Sequence, residues 1–267
     1  PMEYSVMQTK NFLDWIAMSG CVDESHIHFC ENETEEDATD EIEIKSDNVD
    51  CILAGDLMNQ CMASSIGLRD SGIPYLGLFG ACSTIAEGMV TGSLLINSGG
   101  MNNVVCMASS NFCSAEKTFR MPVEQGGQRP PTAQWTVSRA AGLWLSSKEG
   151  GPLITSVTIG KITDFNVTDA NNMGAAMAPA AADTIKTFLN DTKTCVEDYD
   201  LIITGDLGDV GSKLLRELLE NDGIKLGSNY DDCGLLIYDM GDSTVGAGAS
   251  GCGCSGSVMC AKIIPEI

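Results

Sequence analysis

The chain has 267 residues, 37 acidic against 15 basic, giving a formal net charge of −22, and it carries 12 cysteines but only 2 histidines. An acidic chain without Lys/Arg clusters lacks the counterion-release term that drives nucleic-acid binding, which excludes nucleic acid as a partner, and charge alone will not dock it on an anionic lipid surface. With 43% apolar residues it can fill a substantial core without disulfides or structural metal.

The chain begins at Pro1 rather than methionine, which leaves room for a removed N-terminal piece. A helix around Asn11–Met18 is the first expected element. Both histidines follow, in Ser25-His26-Ile27-His28-Phe29-Cys30, where residues 26, 28 and 30 would share one face of a strand. A metal site is one reading of that alternation; a polar, half-exposed strand is the other. Residues 31–47 then hold nine acids against Lys45, −8 of the total charge, and read as a solvated run without the glycine-bearing calcium-loop pattern.

From residue 48 onward, short β-type apolar runs alternate with helical stretches, the texture of an α/β fold. The expected strands are Cys51–Ala54, Tyr75–Phe79, Val104–Ala108, Gly142–Leu145, Leu153–Ile162, Leu201–Thr204 and Leu235–Tyr238. The expected helices are Ser83–Asn97, with Ile85, Met89, Ser93 and Ile96 on one face, and Ser212–Asn221, with Leu214, Leu215, Leu218 and Leu219 inward and Asp222-Gly223 as the stop. No apolar run approaches the ~18 residues of a membrane span; the Ala-rich stretch Met173–Ala182 is interrupted by Pro179. Most cysteines sit inside apolar runs and no signal peptide is visible, so a reducing, cytoplasmic setting is expected. Three Asn-x-Thr sites, at Asn32, Asn166 and Asn190, then carry no weight.

One internal repeat stands out. Asp50-Cys51-Ile52-Leu53-Ala54-Gly55-Asp56-Leu57 returns as Asp200-Leu201-Ile202-Ile203-Thr204-Gly205-Asp206-Leu207, either a recurrence of a common strand ending or the trace of a duplicated half-domain. Ligands in open α/β sheets collect at such strand ends.

The sharpest chemical motif is Gly80-Ala81-Cys82-Ser83-Thr84, which places Cys82 at the first turn of a helix. Backbone N–H groups and the positive end of the helix dipole would there favour a thiolate, or hold a carboxylate ligand. A nucleophilic cysteine needs a base, and imidazole is scarce: no histidine follows residue 28. The glycine-rich run 245–257 reads as a tight loop beneath the cysteine. Its Cys252-x-Cys254 pair, with Cys260, lacks zinc-type spacing and a fourth ligand. No Walker or dinucleotide fingerprint occurs.

Five blocks in order, Leu53–Gln60, Gly80–Thr84, Arg129–Val137, Met173–Ala181 and Gly251–Ser255, resemble the stage V sporulation protein AD family, from about residue 49 to the end. The resemblance implies a thiolase-like αβαβα sandwich of two duplicated βαβαβαββ halves, here residues 49–150 and 151–267 after a poorly matching acidic segment, 1–48. It places Cys82 at the acyl-accepting position and 245–257 at the C-terminal active-site loop. Without a histidine partner for Cys252, condensation chemistry is not expected; the implied role is non-catalytic binding of dipicolinate (pyridine-2,6-dicarboxylate) for its uptake into the endospore. Acyl transfer or thioester hydrolysis through Cys82 is the alternative, and a packed relic scaffold a third reading. The implied ligand residues are Cys82, Ser83, Thr84, Ser109, Ser110, Asn111, Cys252, Gly253 and Cys254, with no cofactor or protein-held metal, though calcium could accompany the ligand. Implied partners are membrane proteins of the SpoVA complex and a second copy of the chain, dimerised through the Val104–Ala108 strand; the implied place is the cytoplasm or the periphery of the inner forespore or spore membrane. The net charge of −22 opposes entry of a dianion, which local donors or calcium must overcome.

Overall fold

The computed structural model describes residues 5–8, 48–119, 129–148 and 151–267. The Asn11–Met18 helix, His26, His28, Cys30 and the acidic run at 31–47 lie outside the described residues.

Five strands form the main sheet: β1 (Ser5–Gln8), β2 (Cys51–Asp56), β3 (Tyr75–Gly77), β4 (Asn103–Ser110) and β6 (Arg139–Ser146), in the order β1-β6-β4-β2-β3. β2 runs parallel to both β3 and β4, whereas β6 is antiparallel to β4 and β1. Parallel neighbours require crossovers, supplied by α1 (Met62–Leu68) and α2 (Thr84–Asn97). β2 and β4 are continuous apolar runs because both faces are covered. Cys51, Leu53, Val104, Cys106, Leu143 and Leu145 pack with Ile85 and Ile96 of α2 on one face. Ile52, Ala54, Val105, Met107 and Trp144 pack with Leu68 on the other. The period-2 alternation of strand side chains produces this division. α2 lies close on the sheet because Gly92 has no side chain: a Cβ there would come within 2.8 Å of Leu145 Cδ1 and 3.1 Å of Cys106 Sγ.

The chain continues through α3 (Phe112–Phe119), β5 (Trp135–Thr136), α4 (Met173–Thr192), β7 (Ile202–Thr204), α5 (Gly208–Asn221), β8 (Tyr230–Asp232), β9 (Ala249–Ser250) and α6 (Cys252–Val258). β7 pairs in parallel with β8, and β5 in parallel with β9. α4 and α5 bury Ala178, Leu189, Leu215 and Leu219 between them. Their backbones approach where Gly174 meets Gly211, since a Cβ on Gly174 would lie 2.9 Å from the Gly211 nitrogen.

The fold is α/β, as the sequence implies, and both copies of the repeat open in the same way. Each is a strand parallel to the one that follows the next helix: β2 with β3 across α1, β7 with β8 across α5. Other expectations are corrected. Leu153–Ile162 forms no strand beyond a single bridge at Leu153: among the described residues it pairs in no ladder, and Ile159 and Ile162 are 76% and 99% exposed. Leu235–Tyr238 gives way to a 3-10 turn at Cys233–Leu235, because the Asp232 carboxylate accepts the Gly234 N–H and Leu236 N–H bonds back to Cys233. The Ala-rich stretch is a 20-residue helix, its N-terminus capped by Asn172 and Pro179 accommodated within it. The 245–257 loop ends in the α6 helix from Cys252 onward. Val104–Ala108 cannot be a dimer edge, because β4 is hydrogen-bonded on both sides, to β2 and β6. β3 is the terminal strand of the order β1-β6-β4-β2-β3, and Leu76 within it and Phe79 just after it are half exposed.

Candidate functional site around Cys82

β3 passes through Gly80 into a 3-10 turn, Ala81–Ser83, which leads directly into α2. Ala81 takes φ +48°, a left-handed conformation costly for a residue with a Cβ. The turn is pinned by its own hydroxyls: Ser83 Oγ donates to Gly80 O at 2.8 Å and Thr84 Oγ1 to Ala81 O at 2.7 Å. Gly55 of β2 makes room beneath, since a Cβ there would overlap the Leu78 carbonyl and approach Thr84 Cγ2 to 2.8 Å. Cys82 is thereby held at the meeting of the strand ends.

The second copy of the repeat supplies its neighbour. Asp206, at the end of β7, is buried and accepts the Gly251 N–H at 2.8 Å and the Ser250 hydroxyl at 3.1 Å. Its carboxylate also lies against the Cys82 thiol. Burial first, and then Asp206, push that thiol well above its ordinary pKa although the residue as a whole keeps some exposure. This corrects the expectation of a thiolate favoured by the helix terminus: a buried carboxylate opposes the negative charge that the dipole would stabilise. Cys252 at the start of α6 donates its S–H to Ser109 O at 3.0 Å, and burial with Asp206 pushes it up to about 12. Asp232, fully buried, accepts from Thr204 Oγ1 at 2.6 Å and from the Leu207, Gly208 and Gly234 amides at 2.8–3.0 Å. Burial nevertheless raises its carboxyl to about 6, with Asp206 adding repulsion.

Beside Cys82 is a cavity of about 60 Å³, lined by Leu57, Ala81, Cys82, Ala115, Thr136, Met173 and Ser250. It is small against the ~300–1,000 Å³ of pockets that enclose whole ligands. Behind Thr136, its hydroxyl donates to Glu116 Oε1 at 3.2 Å, and Arg129 pairs with Glu116 Oε2 at 2.9 Å while lying 4.2 Å over the Trp135 ring.

Of the residues expected to bind a ligand, Cys82 alone lines this cavity. Ser83 faces solvent, and Thr84 is fully buried with its hydroxyl on Ala81. Ser110 Oγ donates to Val137 O at 2.6 Å and accepts the Gly253 N–H at 3.0 Å, so these two residues join the end of β4 to the start of α6. Ser109 contributes its carbonyl to Cys252, and exposed Asn111 accepts the Ser114 N–H at the start of α3. Cys252, Cys254 and Cys260 direct their sulfurs to three separate carbonyls, of Ser109, Gly205 and Gly142. Among the described residues no cluster of three His, Cys, Asp or Glu could hold a metal ion, and no helix is long and apolar enough to cross a membrane. Sequence reasoning missed Asp206, Thr136, Ser250 and Glu116 as site residues. The repeat had marked Asp206 as a strand end without placing it against Cys82.

Comparison with known proteins fixes the lineage. The family model described as stage V sporulation protein AD matches residues 12–267. The chain belongs to the stage V sporulation protein AD family. The family's representative in Bacillus subtilis (strain 168), named stage V sporulation protein AD, is 44% identical over 224 residues, covering 84% of this chain; the chain spans 66% of that relative's length. Solved structures give the wider fold of the family. A thiolase from Ascaris suum in complex with coenzyme A superposes with TM-score 0.59 at 11% identity, covering 100% of this chain and 92% of its own. A 3-oxoacyl-[acyl-carrier-protein] synthase III from Aquifex aeolicus VF5 gives 0.55 at 12% identity, covering 99% and 90%. At such identities the likeness concerns the fold, which is thiolase-like in this family member.

Proposed function

We propose that this sporulation-family chain is a non-catalytic binding protein whose ligand is dipicolinate, free or as its calcium chelate, engaged at the Cys82 site. The observation that carries the reading is the pairing of the Cys82 thiol with a buried carboxylate. A condensing or acyl-transferring cysteine must lose its proton to a base and then carry an acyl group. Burial first, and then Asp206, instead keep the proton on sulfur, while a small cavity adjoins the thiol. Cys252 offers no alternative, being itself buried and protonated. In this reading the protein serves dipicolinate uptake into the endospore with membrane proteins of the SpoVA complex, at the periphery of the inner forespore or spore membrane. A homodimer fits the β3 edge, where Met62, Ile66, Leu76 and Phe79 are exposed.

The test is a calorimetric titration with dipicolinate, with and without calcium, on the wild type and Cys82→Ala. Saturable heat in either arm, weakened by the substitution, is the expected result, and silence in both would remove the ligand. Intact-mass analysis after incubation with acyl-CoA serves as the opposing control. An acyl adduct absent from Cys82→Ala would overturn the non-catalytic reading.

A further inference from the structure

The two occurrences of the octapeptide begin alike and end in different company. The Ile52 N–H bonds to Pro74 O ahead of β3, and the Ile202 N–H bonds to Asn229 O ahead of β8 in the same way. Successive residues of a strand direct their backbone groups to opposite edges, so Leu53 and Ile203 face away from β3 and β8. Leu53 faces β4, whose Cys106 is its partner, and beyond β4 lie antiparallel β6 and then β1. Ile203 faces no strand among the described residues, where β7 pairs with β8 alone. Burial follows the pairing. All six residues of β2 are buried, whereas Ile202, Ile203 and Thr204 are part-buried; Leu201, at the position of Cys51, is 42% exposed against 1%.

α4 links this open edge to the exposed stretch after Leu153. The cluster that α4 forms with α5 includes Ile202. Elsewhere on the same helix Asp183 takes Lys161 Nζ at 3.0 Å, and a Cβ on Gly160 would come within 2.7 Å of Thr184 Oγ1. In extended backbone Leu153, Val157 and Ile159 share one face, and they are 45%, 36% and 76% exposed.

We propose that two further strands fit between β7 and the 153–162 stretch, the first parallel to β7 as β4 is to β2, the second antiparallel to the first as β6 is to β4. The completed order then matches that of the main sheet, with 153–162 in the place of β1. The occupant is a segment of the family's own polypeptide. Both strands would be covered on two faces, so they must be largely apolar, as β4 and β6 are. Length supports this source, since the chain spans 66% of the Bacillus subtilis relative. The assignment is independent of the ligand at Cys82.

The test is co-expression of the full chain with tagged fragments, each as long as the span from β4 through β6, that tile the part of the Bacillus subtilis relative outside its match to this chain. One fragment should copurify, and hydrogen exchange at Ile203 and across 153–162 should slow by about tenfold or more. β2 and β4, already paired, should exchange as before. Ile159→Asp changes an exposed position, so thermal unfolding of the chain alone should not move, yet capture should weaken about tenfold because the new ladder would hold an unpaired charge. Copurification without slowed exchange in both segments would mean attachment elsewhere and would overturn the proposal. Failure of every fragment to bind would also overturn it, as would slow exchange at Ile203 in the chain alone, which would show the edge already covered.

Discussion

Asp56 and Asp206 end the two copies of one octapeptide, and the same carboxylate does different work in each. Asp56 accepts its hydrogen bonds locally: Oδ1 takes the Met58 N–H at 2.7 Å, and Oδ2 takes the Ser64 N–H and hydroxyl at 2.8 and 2.7 Å. It ties the end of β2 to the connecting turn at Met58 and to the first turn of α1. Asp206 holds the loop before α6 and stands against a thiol carried on the turn before α2. Of the two occurrences of the motif, then, one serves the local fold while the other lies at the site. The occurrence at the site is the one whose following helix makes no claim on its carboxylate.

Asp56→Ala is the most severe way to break this contrast. It strands two amides and a hydroxyl in buried surroundings at ~1–3 kcal/mol each, so a loss of at least about 3 kcal/mol is expected in urea unfolding, with the pH profile of Cys82 alkylation unchanged in the fraction that remains folded. A smaller loss would mean that water replaces the carboxylate.

The third acid, Asp232, tests the second half through pH. Its carboxyl is raised from 3.8 to about 6 in the folded state, so the folded protein binds this proton more tightly than the unfolded chain. The associated stability is therefore complete below pH 3.8 and is lost as pH rises to about 6, a change of up to about 3 kcal/mol. Urea midpoints across this window, compared between wild type and Asp232→Asn, should differ in slope by that amount; parallel curves would place the raised pKa elsewhere.

Asp206→Asn should cost less, about 1–2 kcal/mol, since the amide oxygen can still accept from Gly251. Its larger effect is on Cys82. Removing the adjacent negative charge favours the thiolate, so the alkylation midpoint should move to lower pH, with Cys113 as internal reference. An unmoved midpoint would show burial to be the whole cause of the raised thiol pKa. The smallest effect on folding is expected at the β3 edge. Leu76→Lys should change stability by no more than about 0.5 kcal/mol yet shift any dimer towards monomer in sedimentation, whereas an unchanged sedimentation coefficient would release this edge from the proposed interface.

The parts of the molecule legible in the sequence are those where one local pattern decides the outcome. Cys51–Ala54 and Val104–Ala108 are continuous apolar runs and became central strands; the inward faces of Ser83–Asn97 and Ser212–Asn221 follow from helical spacing. Asp222-Gly223 stops its helix because Gly223 takes φ +79°. Leu153–Ile162 has equal local claim to be a strand, but strand formation needs a neighbour, which no local pattern reports. The site was half legible for a related reason. Cys82 announces itself by its position before α2, whereas the protonation of its thiol follows from burial and then from Asp206, 124 positions away in sequence, neither of which a local pattern reports. Thr136 and Ser250 pair their strands across 114 positions, and only that pairing sets two ordinary hydroxyl residues side by side at the Cys82 cavity.

The exposed stretch from Leu153 to Val167 bears on how this protein behaves in bulk. Leu153, Val157, Ile159, Ile162, Phe165 and Val167 are all turned substantially to water, and after the single bridge at Leu153 this backbone pairs with no strand among the described residues. A segment of this composition is a template for intermolecular β-pairing, with Lys161 and Asp164 as its internal gatekeepers. Solubility at high concentration will be governed here, in a region remote in sequence from Cys82, and removing the charge of either gatekeeper would lower the concentration at which the chains begin to aggregate.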